Sequence, residues 1–427
     1  MKLATTPITL RPCNMHPTSA IQLSTATWQS PDQPSTANPS LNMVKPSWAT
    51  RGPLHHSASS GRCLRDKWME FQGIKNWEGL LDPLDDGLRN EILRYGEFVE
   101  AAYRSFDFDT TSPTYATCMY PKASMLSRCG IGHKGYKVTK YLHATCGVHL
   151  PDWAKRTPTW ASAQSSWIGY VAVCTDEREI ARLGRRDVVV AYRGTATCME
   201  WVENLRATLT CLRSRSGDTS PNRRPMVQSG LLSLYTSSND KHPSLQDTIR
   251  QEIDRILREF PDEPLSITMT GHSLGAALAA LTAHDVTTTF ERAPLVTVVS
   301  FGGPRVGNKS FRSQLEKSGT KVLRIVNSDD PITKVPGFVI DENGSTNKVS
   351  RKGTRLSEWV RRRVEDTQWV YAEIGNELRL SSKDCPHLKD GNVATCHDLK
   401  TYLHLVDNFV SSNCPIRSTA KRVLSRV

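Results

Sequence analysis

The pentapeptide Gly271-His272-Ser273-Leu274-Gly275 constrains this chain more than any other feature. It follows an extended run, SITMT at 266–270, and opens an Ala- and Leu-rich stretch, LGAALAALTAH at 274–284. A strand that bends sharply into a helix through G-x-S-x-G strains the backbone of the central serine and projects its hydroxyl outward. Side chains at positions 271 and 275 would collide with the adjoining strand and helix, hence Gly271 and Gly275. The helix N-terminus also aims amides at any negative charge developing on that side. A glycine-rich turn capping a helix could share the pentapeptide. The strand before it and the helix after it favour Ser273 as a nucleophile.

A serine hydroxyl attacks only when a base removes its proton, and the base needs an orienting acid. Strand–elbow–helix hydrolases carry these in the order Ser, acid, His. After the elbow, KVLRIV at 321–326 runs into Asn327-Ser328-Asp329-Asp330-Pro331. Two acids stand there, and pattern alone does not separate Asp329 from Asp330; either could equally close an Asx-turn. Three histidines follow: His387, His397 and His404. Leu399, Leu403, Val406 and Val410 recur at helical spacing over 398–410, so His397 is expected on the loop before that helix. That position has the reach of a base. His404 falls about two turns further on, and His387 sits in a polar loop beside Pro386.

Two backbone donors are needed for an oxyanion. Leu274, directly after the nucleophile, is one candidate. The other is Thr195, where Arg193-Gly194-Thr195 ends the strand DVVVAYR at 187–193. Next, 198–212 carries Trp201, Leu205, Leu209 and Leu212 in a partial apolar stripe, read as a lid segment or a plain core helix.

Elsewhere, Leu88, Ile92, Tyr95, Val99 and Tyr103 mark a helix, and 167–173, 296–301 and 321–326 read as strands. An amphipathic helix is expected over 245–260, with Leu245, Ile249, Ile253, Ile256 and Phe260 on one face and Ser244 as N-cap. The polar, basic stretch 213–225 reads as an exposed loop. Strands alternating with helices predict an α/β fold, with a mostly parallel central sheet covered on both faces.

Residues 1–60 differ in kind. They hold 17 Ser or Thr but a single acid, Asp32, and lack an apolar core of the secretory type. This is the composition of a disordered leader, an organelle transit peptide or else a plain tail. Order is expected from near Arg65, and residues 61–427 form the folded domain. No stretch approaches the length of apolar sequence that crosses a membrane, so any membrane contact is expected to be peripheral. The net charge of +12 favours anionic partners but is scattered, and no nucleic-acid module is present, which argues against nucleic-acid binding. The 11 cysteines form no CxxC pair, which weakens zinc and redox readings and leaves reduced thiols as the expectation.

Six stretches together carry a family resemblance: 77–103 (WEGLLDPLDDGLRNEILRYGEFVEAAY), 191–205 (AYRGTATCMEWVENL), 271–286 (GHSLGAALAALTAHDV), 300–308 (SFGGPRVGN), 324–337 (RIVNSDDPITKVPG) and 396–409 (CHDLKTYLHLVDNF). The chain resembles the class 3 lipases of fungi and plants. Within them it is similar to the plant class I phospholipase A1 enzymes, plastid acyl hydrolases related to the anther-dehiscence lipase. The resemblance implies an α/β-hydrolase fold. It places the family pattern V-N-x-x-D on Val326, Asn327 and Asp330, preferring Asp330 to Asp329. It places the base, the first histidine of H-D-L-x-x-Y-L-H, on His397, and the oxyanion amides on Thr195 and Leu274. It further implies hydrolysis of the sn-1 ester of membrane phospholipids, with galactolipids or triacylglycerols as further substrates, without metal or organic cofactor, in the chloroplast rather than the cytoplasm. The chain departs from the fungal branch at Val227-Gln228-Ser229-Gly230-Leu231, where V-H-x-G-F is frequent, and Pro331 stands where a larger residue is common. Two other readings remain: a non-catalytic, lipase-like signalling protein, and an esterase for small soluble esters.

Overall fold

The computed structural model describes residues 58–147, 165–196, 206–212, 224–336, 370–385 and 392–412. The leader expected over 1–60 lies outside these residues apart from its last three, as do His387, positions 198–205 of the expected lid and nearly all of the 213–225 loop.

The chain enters through α1 (Ala58–Phe71), earlier than the start expected near Arg65. Helix α2 (Asp86–Ser105) follows, with Asp85 accepting N–H bonds from Gly87 and Leu88 as its N-cap. Beyond the short α3 (Met125–Arg128) come β1 (Tyr136–Thr145), β2 (Ser165–Cys174), α4 (Glu177–Leu183) and β3 (Arg186–Tyr192). A two-stranded ribbon, β4 (Leu209–Cys211) with β5 (Met226–Gln228), precedes α5 (Ser229–Thr236) and α6 (Leu245–Glu259). Then β6 (Leu265–His272), α7 (Leu274–Thr289), β7 (Leu295–Phe301), α8 (Lys309–Lys317) and β8 (Lys321–Asn327) alternate. The chain closes with β9 (Asn376–Leu380), α9 (Val393–His397) and α10 (Leu399–Asn408).

Seven strands form one sheet in the order β1-β2-β3-β6-β7-β8-β9. The pairs β1–β2 and β2–β3 are antiparallel, and β3, β6, β7, β8 and β9 run parallel. The mostly parallel α/β sheet expected from the alternation is therefore present, with β1 and β9 as strands that the sequence pattern did not mark. Every residue of β3 and β6 is buried, as strands covered on both faces require. Helix α7 is buried from Leu274 through Val286, which its Ala-rich sequence permits because small side chains let it lie close against β6 and β7. Helix α6 has the expected cap, Ser244 accepting from the Asp247 amide. It buries Leu245, Ile249, Ile253 and Ile256, each contributing about 1.5–3 kcal/mol of transfer free energy, while Phe260 is half-buried beside the same core.

One expectation is corrected. The described end of the 198–212 stripe is not helical: Leu209 is buried in β4, paired with Gln228 of β5. Strand alternation there, not a helical stripe, turns Leu209 inward.

Helix α2 spans the sheet from one end to the other, and both ends of it matter. Its first turns meet the amino ends of the parallel strands, where Asp187, the second residue of β3, is fully buried. Asp187 accepts from Arg94 at 2.9 Å, Tyr136 at 2.8 Å and Ser266 at 2.9 Å. Glu91 pairs with Arg94 at 2.7 Å and Arg185 at 3.3 Å. Burial alone would raise the Asp187 pKa, but Arg94 and Arg185 outweigh it and hold the carboxyl below its ordinary value. A depressed native pKa contributes stability that is present above the unfolded value of about 4 and is lost as pH falls through the native pKa. Asp187→Ala leaves two guanidinium groups facing one remaining carboxylate. It is expected to cost about 3–5 kcal/mol, read as a shift in the urea midpoint at neutral pH. A midpoint equal to that of the wild type would show that this network is not stabilising.

Candidate active site

The carboxyl ends of the parallel strands meet at the opposite end of the sheet, where α/β folds gather their chemistry. Ser273 follows β6 there and caps α7, with φ 55° and ψ −123°, the strained conformation expected of the elbow. The flanking glycines are explained by contact. A Cβ on Gly271 would lie 2.3 Å from the Gly275 carbonyl carbon, and one on Gly275 would lie 2.4 Å from the Arg193 carbonyl oxygen.

His397 Nε2 lies 2.8 Å from Ser273 Oγ, and His397 Nδ1 lies 2.6 Å from Asp330 Oδ2. The three residues come from sequence positions far apart: the β6 turn, the β8 turn and the end of α9. His397 closes the short helix α9, rather than standing in a loop, and Asp398 then caps α10 by accepting from the Lys400 amide.

Asp330 is fully buried, and its carboxylate is held by bonds on both oxygens. Besides His397, Oδ2 accepts from the Tyr402 hydroxyl at 2.6 Å, and Oδ1 accepts from the Ile332 amide at 2.9 Å. Burial, reinforced by the neighbouring Asp330 carboxylate, pushes the Tyr402 phenol well above its usual range, so it stays a donor. Pro331 begins the 3-10 turn that presents the Ile332 amide; its fixed φ suits that position, and its missing N–H is not required there. Asp329 points elsewhere. It accepts from Ser381 Oγ at 2.9 Å and pairs with Lys383 at 3.1 Å. Burial acts to raise its pKa, but these partners outweigh that and lower it. Of the other histidines, His404 is one helix away, its Nε2 3.4 Å from Cys385 Sγ.

The side chain of Asn327 joins the Asp330 turn to the segment that carries His397. Its amide donates to Ser382 Oγ and, at 2.9 Å, to the Cys396 carbonyl, and its oxygen accepts from the Ser382 amide at 3.1 Å. Spacing does not reveal roles for Tyr402 and Asn327, although both stand inside the family-like stretches 396–409 and 324–337. The signal was a polar residue inside an otherwise apolar strand or helix face.

The expected oxyanion donors are near the nucleophile. Leu274 is the first residue of α7, so its amide has no acceptor within the helix. The Arg193-Gly194-Thr195 turn packs directly on the elbow: a Cβ on Gly194 would meet Ser273 Cβ at 3.2 Å. Arg193 is fully buried and secures this turn, donating to the Trp167 carbonyl at 2.9 Å and the Gly194 carbonyl at 2.7 Å. Thr195 is half-buried at the turn's edge. Among the described residues, no group of three or more His, Cys, Asp or Glu is placed to hold a metal ion.

A serine hydroxyl, an imidazole and a buried carboxylate in hydrogen-bonded series, at the carboxyl ends of a parallel sheet, define a serine hydrolase of the α/β-hydrolase fold. Comparison with known proteins narrows this. The family model described as Lipase (class 3) matches residues 189–340. The chloroplastic phospholipase A(1) DAD1 of Arabidopsis thaliana is 63% identical over 368 residues, spanning 85% of this chain and 81% of that one. Phospholipase A1 EG1, chloroplastic/mitochondrial, of Oryza sativa subsp. indica is 40% identical and spans 84% and 78%. The chloroplastic galactolipase DONGLE of Arabidopsis thaliana is also 40% identical, spanning 80% and 69%. The chain belongs to the class 3 lipase family and is a serine carboxylic-ester hydrolase.

Proposed function

We propose that this protein is a phospholipase A1-type acyl hydrolase that cleaves the sn-1 ester of membrane glycerolipids, with Ser273 as nucleophile, His397 as base and Asp330 as orienting acid. The observation that carries the assignment is the His397 imidazole, held between Ser273 Oγ and Asp330 Oδ2 at 2.8 and 2.6 Å. His397 Nε2 takes the proton as Ser273 Oγ attacks the ester carbonyl. Asp330 keeps the proton on Nδ1 and stabilises the imidazolium that forms. The Leu274 and Thr195 amides hold the oxyanion. The lysolipid leaves with the proton from His397, and water, activated by the same imidazole, then releases the fatty acid from Ser273.

The substrate class rests on the relatives, which are named phospholipases A1 and a galactolipase. Contact with the bilayer is proposed to be peripheral; no helix among the described residues is long and apolar enough to cross a membrane. Action in the plastid is supported by the chloroplastic names of relatives and by the Ser/Thr-rich, acid-poor composition of residues 1–60, read as a transit peptide.

The test uses phosphatidylcholine and galactolipid vesicles carrying different acyl chains at sn-1 and sn-2. Product analysis is expected to find the sn-1 fatty acid and a 2-acyl lysolipid. Release of the sn-2 chain would overturn the positional assignment. Hydrolysis confined to short soluble esters would favour the small-ester esterase instead.

A further inference from the structure

Beyond the triad, two polar side chains meet at the elbow and belong to neither the nucleophile, the base nor the acid. One is His272, the residue before the nucleophile, which is buried. The other is Tyr103, in the last turn of α2, half-buried on the face that sequence periodicity marks as apolar. Tyr103 Oη lies 2.8 Å from His272 Nδ1, and the Gly194 amide donates to the same oxygen at 2.8 Å. On the far side of the ring, His272 Nε2 lies 2.6 Å from the carbonyl oxygen of His397.

The directions of these bonds follow from chemistry. A carbonyl only accepts, so His272 Nε2 carries the hydrogen. In a neutral ring Nδ1 is then the acceptor, and the Tyr103 hydroxyl donates to it. That hydroxyl oxygen is left to accept from the Gly194 amide. The result is one directed chain, from the Gly194 N–H to Tyr103 Oη, from Tyr103 O–H to His272 Nδ1, and from His272 Nε2–H to the His397 carbonyl. A protonated ring would have no acceptor for the Tyr103 hydroxyl and would break the chain. Burial, with His397 beside it, pushes the His272 pKa down to about 3, which keeps the ring neutral at neutral pH.

The chain joins parts that arrive from four places in the sequence: α2, the oxyanion turn after β3, the elbow after β6, and the base at the end of α9. None of the triad bonds holds the oxyanion turn in register with the base. We propose that His272 and Tyr103 are positioning residues that set the distance between the oxyanion turn and the backbone of His397, acting through hydrogen bonds rather than on substrate. This inference rests on the triad reading above. Displacements of about 1 Å at a reacting centre can cost about 10²-fold in rate, so a tether of this kind acts on kcat.

The test is Tyr103→Phe, which keeps the ring and removes only the oxygen that joins Gly194 to His272. It is paired with His272→Leu, which removes both ring bonds, and His272→Gln, which keeps an N–H able to reach the His397 carbonyl. Rates are measured on a soluble short-chain p-nitrophenyl ester and normalised to sites titrated to completion with a fluorophosphonate. Thermal unfolding is followed alongside. Tyr103→Phe is expected to lower kcat per titrated site about 10- to 100-fold, with KM within about twofold of wild type. His272→Gln is expected to recover part of what His272→Leu loses. A merely structural role would lower the unfolding temperature or the number of titratable sites and leave kcat per site unchanged. That result, or equal rates for the Gln and Leu variants, overturns the inference. Should His272→Leu fail to fold, Tyr103→Phe decides alone. Failure of the wild-type chain to be labelled at Ser273 would sink the triad reading instead, so the two failures are distinguishable.

Discussion

Ser273→Ala is expected to lower kcat on any ester substrate by about 10⁶-fold, the scale on which removing a serine nucleophile acts, while the protein stays folded. The substitution removes one oxygen atom and keeps the Cβ that the elbow already accommodates at φ 55°. His397 loses its contact at 2.8 Å but keeps Asp330 at 2.6 Å, so the imidazole stays in place. No acyl-enzyme can form, and fluorophosphonate labelling should vanish with hydrolysis. The comparison is made on purified proteins whose thermal unfolding coincides. Hydrolysis within an order of magnitude of wild type would refute Ser273 as nucleophile. A wild-type chain that neither labels nor hydrolyses would point to a non-catalytic member of the family.

The second large effect separates two neighbouring acids. Asp330→Asn is expected to lower kcat by about 10⁴-fold with little change in fold. The cause is the tautomer of His397. The Asp330 carboxylate only accepts, so it keeps the hydrogen of His397 on Nδ1 and leaves Nε2 free to take the Ser273 proton. An asparagine can turn its NH2 toward Nδ1, which moves the hydrogen to Nε2 and removes the base. The Ile332 amide, which donates to the other carboxylate oxygen, favours that outcome by holding the asparagine carbonyl on its own side. Asp329→Asn is expected to stay within about threefold of wild type, because Asp329 spends its bonds on Ser381 and Lys383. Equal losses in the two variants would show that the acid role is not confined to Asp330.

Much of this architecture is legible in the sequence. The elbow announced itself because local rules agree there: β-forming residues, then glycine on either side of a serine, then a run of strong helix formers. The capped, amphipathic α6 was readable for the same reason, since its cap, Ser244, and its apolar face, Leu245 to Phe260, lie within one short stretch of sequence. Readings failed where a pairing partner decides. Strands β1 and β9 escaped notice because they are polar on one side and take their hydrogen bonds from neighbours remote in sequence. The apolar stripe at 198–212 suggested a helix, yet its described end pairs with β5 as a strand.

The site divides in the same way. Ser273 could be favoured from the pentapeptide together with the strand before it and the helix after it, and His397 from its place before a helix. The choice between Asp330 and Asp329 could not be made from the residues themselves. They are adjacent and identical in type, and only the fold decides which carboxylate turns inward to His397, Tyr402 and the Ile332 amide. Tyr103 is the clearest case. In the sequence it is one more position on an apolar helix face; in the structure its hydroxyl stands between the Gly194 amide and His272. The sequence alone determined what each local segment must be, because propensity, capping and turn geometry act over a few residues. The tertiary structure decided which polar atoms face one another, because a hydrogen bond depends on positions to within about half an ångström and its partners here lie up to 169 residues apart.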